Sequence, residues 1–168
     1  MKYLLPFFLA LMIFLCSCKK TASNSCGYTL STIVAPASEQ QALQDSLTAH
    51  GLTATLAPSG FYYTINAPGA GTSPTGPCSG IAIYYRAGFF NGKGFDSTST
   101  GNAATYQLAQ VIPGLQKALP LIAKNGDITV YVPPSLAYGS RTITDSSGTV
   151  LIPPNSDLVF RLILVDVQ

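Results

Sequence analysis

The sequence has no tryptophan, one histidine (His50) and one glutamate (Glu39), and only 10% of its residues are charged. These shortages exclude whole classes of chemistry. A single histidine, placed at a helix end, excludes most Ser/His/Asp and Cys/His systems, and neither Cys26 nor Cys78 has a base beside it in sequence. One glutamate among dispersed aspartates leaves no paired carboxylates for acid–base work. No metal-ligand spacing, phosphate-binding glycine loop or dinucleotide fingerprint occurs, so no cofactor is expected. Nine lysines and arginines stand against seven acidic residues, too even a balance for a nucleic-acid partner. His50 itself closes a helical stretch and reads as a C-terminal residue interacting with the helix dipole.

The N-terminus, by contrast, is rich in information. Lys2 precedes an apolar run, Leu4 to Leu15, which is too short to span a bilayer and has the form of a signal-peptide core. The run closes on Leu15-Cys16-Ser17-Cys18. This resembles a bacterial lipobox with Cys18 as the lipidated first residue of the mature chain; the alternative is an ordinary secretory signal with two incidental cysteines. A diacylglyceryl group plus an amide-linked chain exceeds the single acyl chain that binds membranes only marginally. The expected location is therefore the bacterial cell envelope, lipid-anchored, at the outer membrane facing the periplasm. Losing residues 1–17 removes Lys2, so nine basic residues become eight against seven acidic ones. About 150 residues remain, the size of one domain with a real core.

Of the four cysteines, Cys16 leaves with the signal and Cys18 is consumed by lipid, which leaves Cys26 and Cys78. In an oxidising compartment a disulfide between them is predicted. Closing a loop of about fifty residues contributes about 4 kcal/mol in the chain-entropy model. Two unpaired surface thiols are the alternative, since sequence does not show how near the two Cα atoms come.

Periodicity organises the rest. Lys19 to Ser25 is small and polar, a tether. Ser38 opens a helix, with its hydroxyl as cap and Gln41 completing a capping box; Ala42, Leu43, Leu47 and His50 follow at helical spacing, and Gly51 ends it. Strands are expected at Gly60 to Ile65, Ile81 to Arg86, Tyr106 to Leu108, Asp127 to Val132 and Leu158 to Val167. In the last, Leu158, Phe160, Leu162 and Leu164 alternate onto one face. Asn91-Gly92 marks a hairpin turn. A short helix from Gly114 to Leu119 is limited by Pro120 and turns Leu115, Leu119 and Ile122 towards the sheet. Many strands and one brief helix give an α+β domain, a curved antiparallel sheet around that helix, with a short helical extension before it. The expected boundaries are 1–17 signal, 18–35 tether, 36–77 helix, strand and loop, and 78–168 the main domain.

From Ile81 to the C-terminus a set of strings stands in order: Tyr85, GKGFDS (Gly92 to Ser97), VIPG (Val111 to Gly114), LAYG (Leu136 to Gly139) and IPPNSDLVF (Ile152 to Phe160). Together they resemble an FKBP-type peptidyl-prolyl isomerase, in the bacterial lipoprotein form similar to the macrophage infectivity potentiator group. The resemblance implies the same sheet-and-helix fold, and isomerisation of X-Pro bonds in exported polypeptides without nucleophile, metal or cofactor. A macrolide of the FK506 type is the implied small ligand. Tyr85, Phe95 and Phe160 match aromatic walls of the family's proline pocket, and Val111, Ile112 and Ile152 its aliphatic walls. Tyr138 matches a tyrosine whose hydroxyl bonds ligand carbonyls, and the Ile112 main chain another contact. Asp96 matches the aspartate held to orient the twisted amide.

Two positions depart from the pattern. Leu115 occupies the pocket floor where the family commonly has tryptophan, and Ala104 stands where it has a further aromatic wall. Both leave the site more open and less aromatic. They favour an alternative role, a chaperone or scaffold module that grips proline-containing segments with little turnover. The polar stretch Ser140 to Leu151 reads as a long loop over the pocket, gating or extending it.

Overall fold

The computed structural model describes residues 26–168. The apolar run, Cys16, Cys18 and the polar stretch to Ser25 lie outside the described residues. Among the described residues no helix is long and apolar enough to cross a membrane.

The first helix, α1, spans Ala37–Ala49. It starts without the expected Ser38 cap. Pro36 holds the N-cap position at φ −57° and ψ 150°, no side chain caps the helix, and the Pro36 carbonyl accepts the amides of Glu39 and Gln40 at 3.0 and 3.1 Å. Proline's fixed φ delivers the chain ready to turn, so Ser38 and Gln41 fall inside the first turn and Gln41 bonds Asp45 instead, at 2.9 Å. Gly51, at φ +64°, ends the run as expected.

The strands follow as β1 (Thr55–Leu56), β2 (Tyr62–Ala67), β3 (Gly80–Gly88), β4 (Gly94–Ser97) and β5 (Ala104–Gln107). Helix α2 (Pro113–Ala118) comes next, then β6 (Asp127–Val132), β7 (Ile143–Thr144), β8 (Val150–Ile152) and β9 (Leu158–Val167). All pairings are antiparallel. The main sheet runs β1-β2-β6-β9-β3-β4, with β5 also against β3. The sheet thus reaches back through β2 into residues 36–77.

Its two faces are covered differently. On one, Leu115 of α2 and Leu119 and Ile122 just after it bury against Ile83, Ile128, Val130, Leu162 and Leu164. Gly114 permits the close approach, since a Cβ there would meet Val132 Cγ1 at 2.6 Å. On the other face α1 lays Leu43 and Leu47 onto Tyr62 and Tyr131. This explains why the C-terminal end of β6 is buried on both sides, Tyr131 facing α1 and its neighbours Val130 and Val132 facing α2, while Asp127 and Thr129 at its start are only half-buried.

Residues 26–35 form an extended strap across α2. Cys26 is joined to Cys78 by a disulfide with Cα atoms 5.6 Å apart, inside the range that unstrained backbone allows. Further along, the Ser31 carbonyl accepts Lys117 Nζ at 2.8 Å, and the strap ends in the buried Ala35, whose amide bonds the Ser59 carbonyl at 2.9 Å.

Candidate active site

Strand β3 places the site, because alternate residues of a strand face the same side. Ile83 and Tyr85 point towards α2, and β4, paired with β3 through Ala87↔Asp96, brings Phe95 and Asp96 beside them. Phe160 comes from β9. Val111 and Ile112 lead into α2, Leu115 sits one turn inside it, and Tyr138 follows the short turn Pro134–Leu136. These side chains enclose a cavity of about 270 Å³, ample for a proline ring and its flanking amide.

The aromatic walls hold one another. Phe95 meets Phe160 edge to face, centroids 6.2 Å apart, and meets Phe89 at 5.3 Å, spacings at which aromatic pairs attract. Tyr85 donates its hydroxyl to Asp96 Oδ2 at 2.7 Å. Burial, then this hydrogen bond to the carboxylate, raises the Tyr85 pKa above its ordinary value, so the hydroxyl stays protonated and fixes the carboxylate at the solvent-open mouth. Tyr138 is half-buried, and burial followed by the Asp96 charge raises its pKa as well. Its hydroxyl remains a donor. The Ile112 carbonyl is occupied, accepting the amides of Leu115 and Gln116 at 2.9 and 3.1 Å, whereas its own N–H has no acceptor among the described residues. An apolar hollow with two donors at its edge and one oriented carboxylate can seize an amide and orient it. It offers no nucleophile.

Behind this wall lies Gln116, the one buried polar residue of the described core. It donates to the carbonyls of Val111 and Ala109 at 2.8 and 3.1 Å and accepts the Ser31 amide at 2.7 Å. One side chain therefore ties the strap to the segment that presents Ile112.

Eight of the nine residues expected at the site converge on the cavity: Tyr85, Phe95, Asp96, Val111, Ile112, Leu115, Tyr138 and Phe160. Ile152 does not. Its pairing with Ile143 turns it under the base of the β7–β8 hairpin, where it is 3% exposed within the core. Ile83, Tyr106 and Gln110 also line the cavity and were not expected. Strand alternation contains the signal for two of them, since Ile83 is two residues from Tyr85 and Tyr106 two from Ala104. The stretch Ser140 to Leu151 is not a cover of irregular loop. Asp145 Oδ1 accepts the amides of Ser147 and Thr149 at 2.8 and 2.9 Å and folds it into the β7–β8 hairpin, which contributes no lining residue to this cavity. His50 is remote from the site, its Nδ1 2.8 Å from the Ser46 carbonyl at the end of α1. Among the described residues no cluster of three or more potential metal ligands occurs.

Residues 76–165, more than half of the chain, match the family model for FKBP-type peptidyl-prolyl cis-trans isomerase. The chain belongs to that family. It is 38% identical over 112 residues to the outer membrane protein MIP of Legionella longbeachae, covering 66% of this chain and 46% of that protein. The crystal structure of FkpA from Escherichia coli superposes with a TM-score of 0.61 at 30% identity, covering 79% of this chain and 63% of that one. A Pseudomonas syringae peptidyl-prolyl cis-trans isomerase, at 24% identity, shares the fold with a TM-score of 0.65 over 80% of this chain and 97% of its own. The chain spans less than half the length of the curated FKBP relatives that it matches first. Within the FKBP pattern, Leu115 at the floor is 5% exposed, so the leucine closes the cavity without supplying an aromatic platform.

Proposed function

We propose that the chain is a peptidyl-prolyl cis-trans isomerase acting on X-Pro bonds of exported polypeptides at the bacterial cell envelope. The observation that carries this is the pairing of a three-ring apolar wall, Tyr85, Phe95 and Phe160, with a few hydrogen-bond donors at its edge, among them the Tyr138 hydroxyl and the Ile112 amide. The barrier to be lowered is the partial double bond of the amide, about 18 to 20 kcal/mol. Twisting the bond abolishes resonance and makes the carbonyl less dipolar, so an apolar enclosure favours the twisted amide over the planar one. Tyr138 and the Ile112 N–H hold carbonyls on either side of the turning bond, and the Asp96 carboxylate, steadied by Tyr85, favours the orientation in which the amide is twisted. No proton is transferred. The same hollow suits a macrolide of the FK506 type.

The test is a protease-free isomerisation assay on X-Pro peptides. Asp96→Ala and Tyr138→Phe should each lower kcat/KM by about 1 to 2 kcal/mol of transition-state stabilisation with the fold intact; His50→Ala should change nothing. Leu115→Trp should raise turnover or macrolide affinity. Absence of turnover on several peptides, with retained binding of proline-containing chains, would replace the enzyme by a binding module.

The envelope location is supported by the signal-like run ending at Cys18 and by the outer-membrane designation of the Legionella relative. Cys26 lies eight positions after Cys18, so a lipid on Cys18 would keep the start of the strap within about 28 Å of the membrane surface. Mass spectrometry of membrane-extracted protein should find an acylated N-terminal peptide beginning at Cys18. A Cys18→Ser protein that still fractionates wholly with membranes would refute the anchor.

A further inference from the structure

A second cavity, of about 480 Å³, opens where the end of α1, the β3–β4 connection and the β7–β8 hairpin meet. Its walls include His50, Phe89, Phe90, Val150, Leu151 and Asp157. The two cavities share an aromatic partition: Phe89 lines the second, Phe95 lines the first, and their rings lie 5.3 Å apart. An extended polypeptide advances about 3.3 to 3.6 Å per residue, so a chain whose proline ring fills the first cavity crosses this partition within two to four residues.

The second cavity is preformed. Phe90 stacks on Tyr131 with centroids 5.6 Å apart, and the His50 ring lies against Phe90 at 5.3 Å, so α1 and the β3–β4 connection brace each other. Val150 remains 49% exposed, an apolar side chain on the rim. Asp157 supplies a half-buried polar group; burial and the Glu39 charge push its carboxyl up to about 6, opposed by the Ser46 hydroxyl. Five of the ten lining residues are apolar, Phe89, Phe90, Val150, Leu151 and Pro153, with Asn91, Lys93 and Ser156 among the polar ones beside them, and an apolar surface edged by polar groups is the composition of a side-chain receptor. One wall, at His50, precedes residue 76, where the match to the family model begins.

We propose that this cavity is an accessory subsite for the client chain, taking a large apolar side chain two to four residues from the proline held in the first cavity. The inference rests on the reading of the first cavity as a proline site. It makes the N-terminal helix a determinant of substrate choice: clients with phenylalanine or leucine near the proline are held at both points, and clients with small or charged neighbours at one.

The experiment compares three kinds of X-Pro peptide in the isomerisation assay: short peptides with one residue on each side of the dipeptide, and longer ones with either phenylalanine or alanine placed two, three or four residues from the proline. Wild-type protein should prefer the best phenylalanine peptide to its alanine counterpart by about tenfold in kcat/KM, the yield of partly burying one large apolar side chain. Val150→Glu should bring that ratio near one and leave the short peptide unchanged. The single histidine provides an independent reading on unaltered protein: the His50 imidazole signal in NMR should move with the phenylalanine peptide and not with the alanine one. A ratio near one in wild-type protein with an unmoved His50 signal overturns the subsite, and turnover of the short peptide would then leave the isomerase reading standing. If no peptide is turned over, the isomerase reading falls, and the His50 signal alone decides whether the cavity holds an apolar side chain.

Discussion

Replacing Cys26 and Cys78 together by serine should lower the free energy of unfolding by about 4 kcal/mol, the cost of freeing a loop whose ends are 52 residues apart. For a domain of this size that corresponds to a drop of about 10 °C in Tm. The bridge confines the unfolded chain and also fastens one end of the strap; its other end is held by the buried Ala35. Urea denaturation of wild-type protein with and without reductant, beside the double mutant, separates the contributions. Reduced wild type should unfold like the mutant, and the mutant should ignore reductant. A difference below about 1 kcal/mol would mean that the strap holds its place without the bridge and that the chain-entropy estimate fails for this loop.

Gln116→Leu should destabilise the fold by about 3 kcal/mol and lower kcat/KM as well. The leucine fits the space but leaves the Ser31 amide and the carbonyls of Ala109 and Val111 without partners. Each unpaired buried group costs about 1 to 3 kcal/mol, moderated here because the partners are only half-buried. The segment that presents the Ile112 N–H then loses its brace. Gln116→Glu has a different signature. Its carboxylate would face two carbonyl oxygens, which raises the folded-state pKa above the unfolded value of about 4.3. The folded state then binds the proton more tightly, so this variant's stability should be greatest in acid and fall as pH rises through 4 and above. A leucine variant as stable and as active as wild type would show that the strap and the site are not coupled through this residue.

Much of the scaffold was legible in the chain. Asp127 to Val132 and Leu158 to Val167 were readable at their observed limits because dense runs of β-branched and apolar residues leave a buried strand little freedom. The start of α1 was misread because Ser38 offers a side-chain cap, while Pro36 makes one unnecessary. β1 and β4, at two and four residues, are too short for any period to register; they exist because longer neighbours supply their partners. The β7–β8 hairpin hid in a polar stretch, since its organiser is one carboxylate bonded to nearby backbone rather than an apolar pattern.

At the site, motif order brought eight residues to one cavity, and the error fell on Ile152, where a local hairpin pairing decided which way the side chain turned. Gln116 was invisible for another reason. Its contact with Ser31 joins positions 85 residues apart, and no local pattern carries that information.

The order of the sheet has a consequence for aggregation. Its longest strands, β9 with ten residues and β3 with nine, lie in the interior, while the edges are β1 on one side and the four-residue β4 and β5, both against β3, on the other, β4 being offset by a register shift between Ala87 and Gly88. An open strand edge is a template on which another extended chain can add itself through its backbone. A protein acting on X-Pro bonds of unfolded polypeptides, as proposed above, would meet that hazard at every encounter. Edges of two and four residues offer too few free amides for a stable ladder. On the proposed reading a client is held by its proline ring and by the few carbonyls that Tyr138 and the Ile112 N–H engage, and once turned it would leave by withdrawing a ring from a hollow, with no strand to unzip.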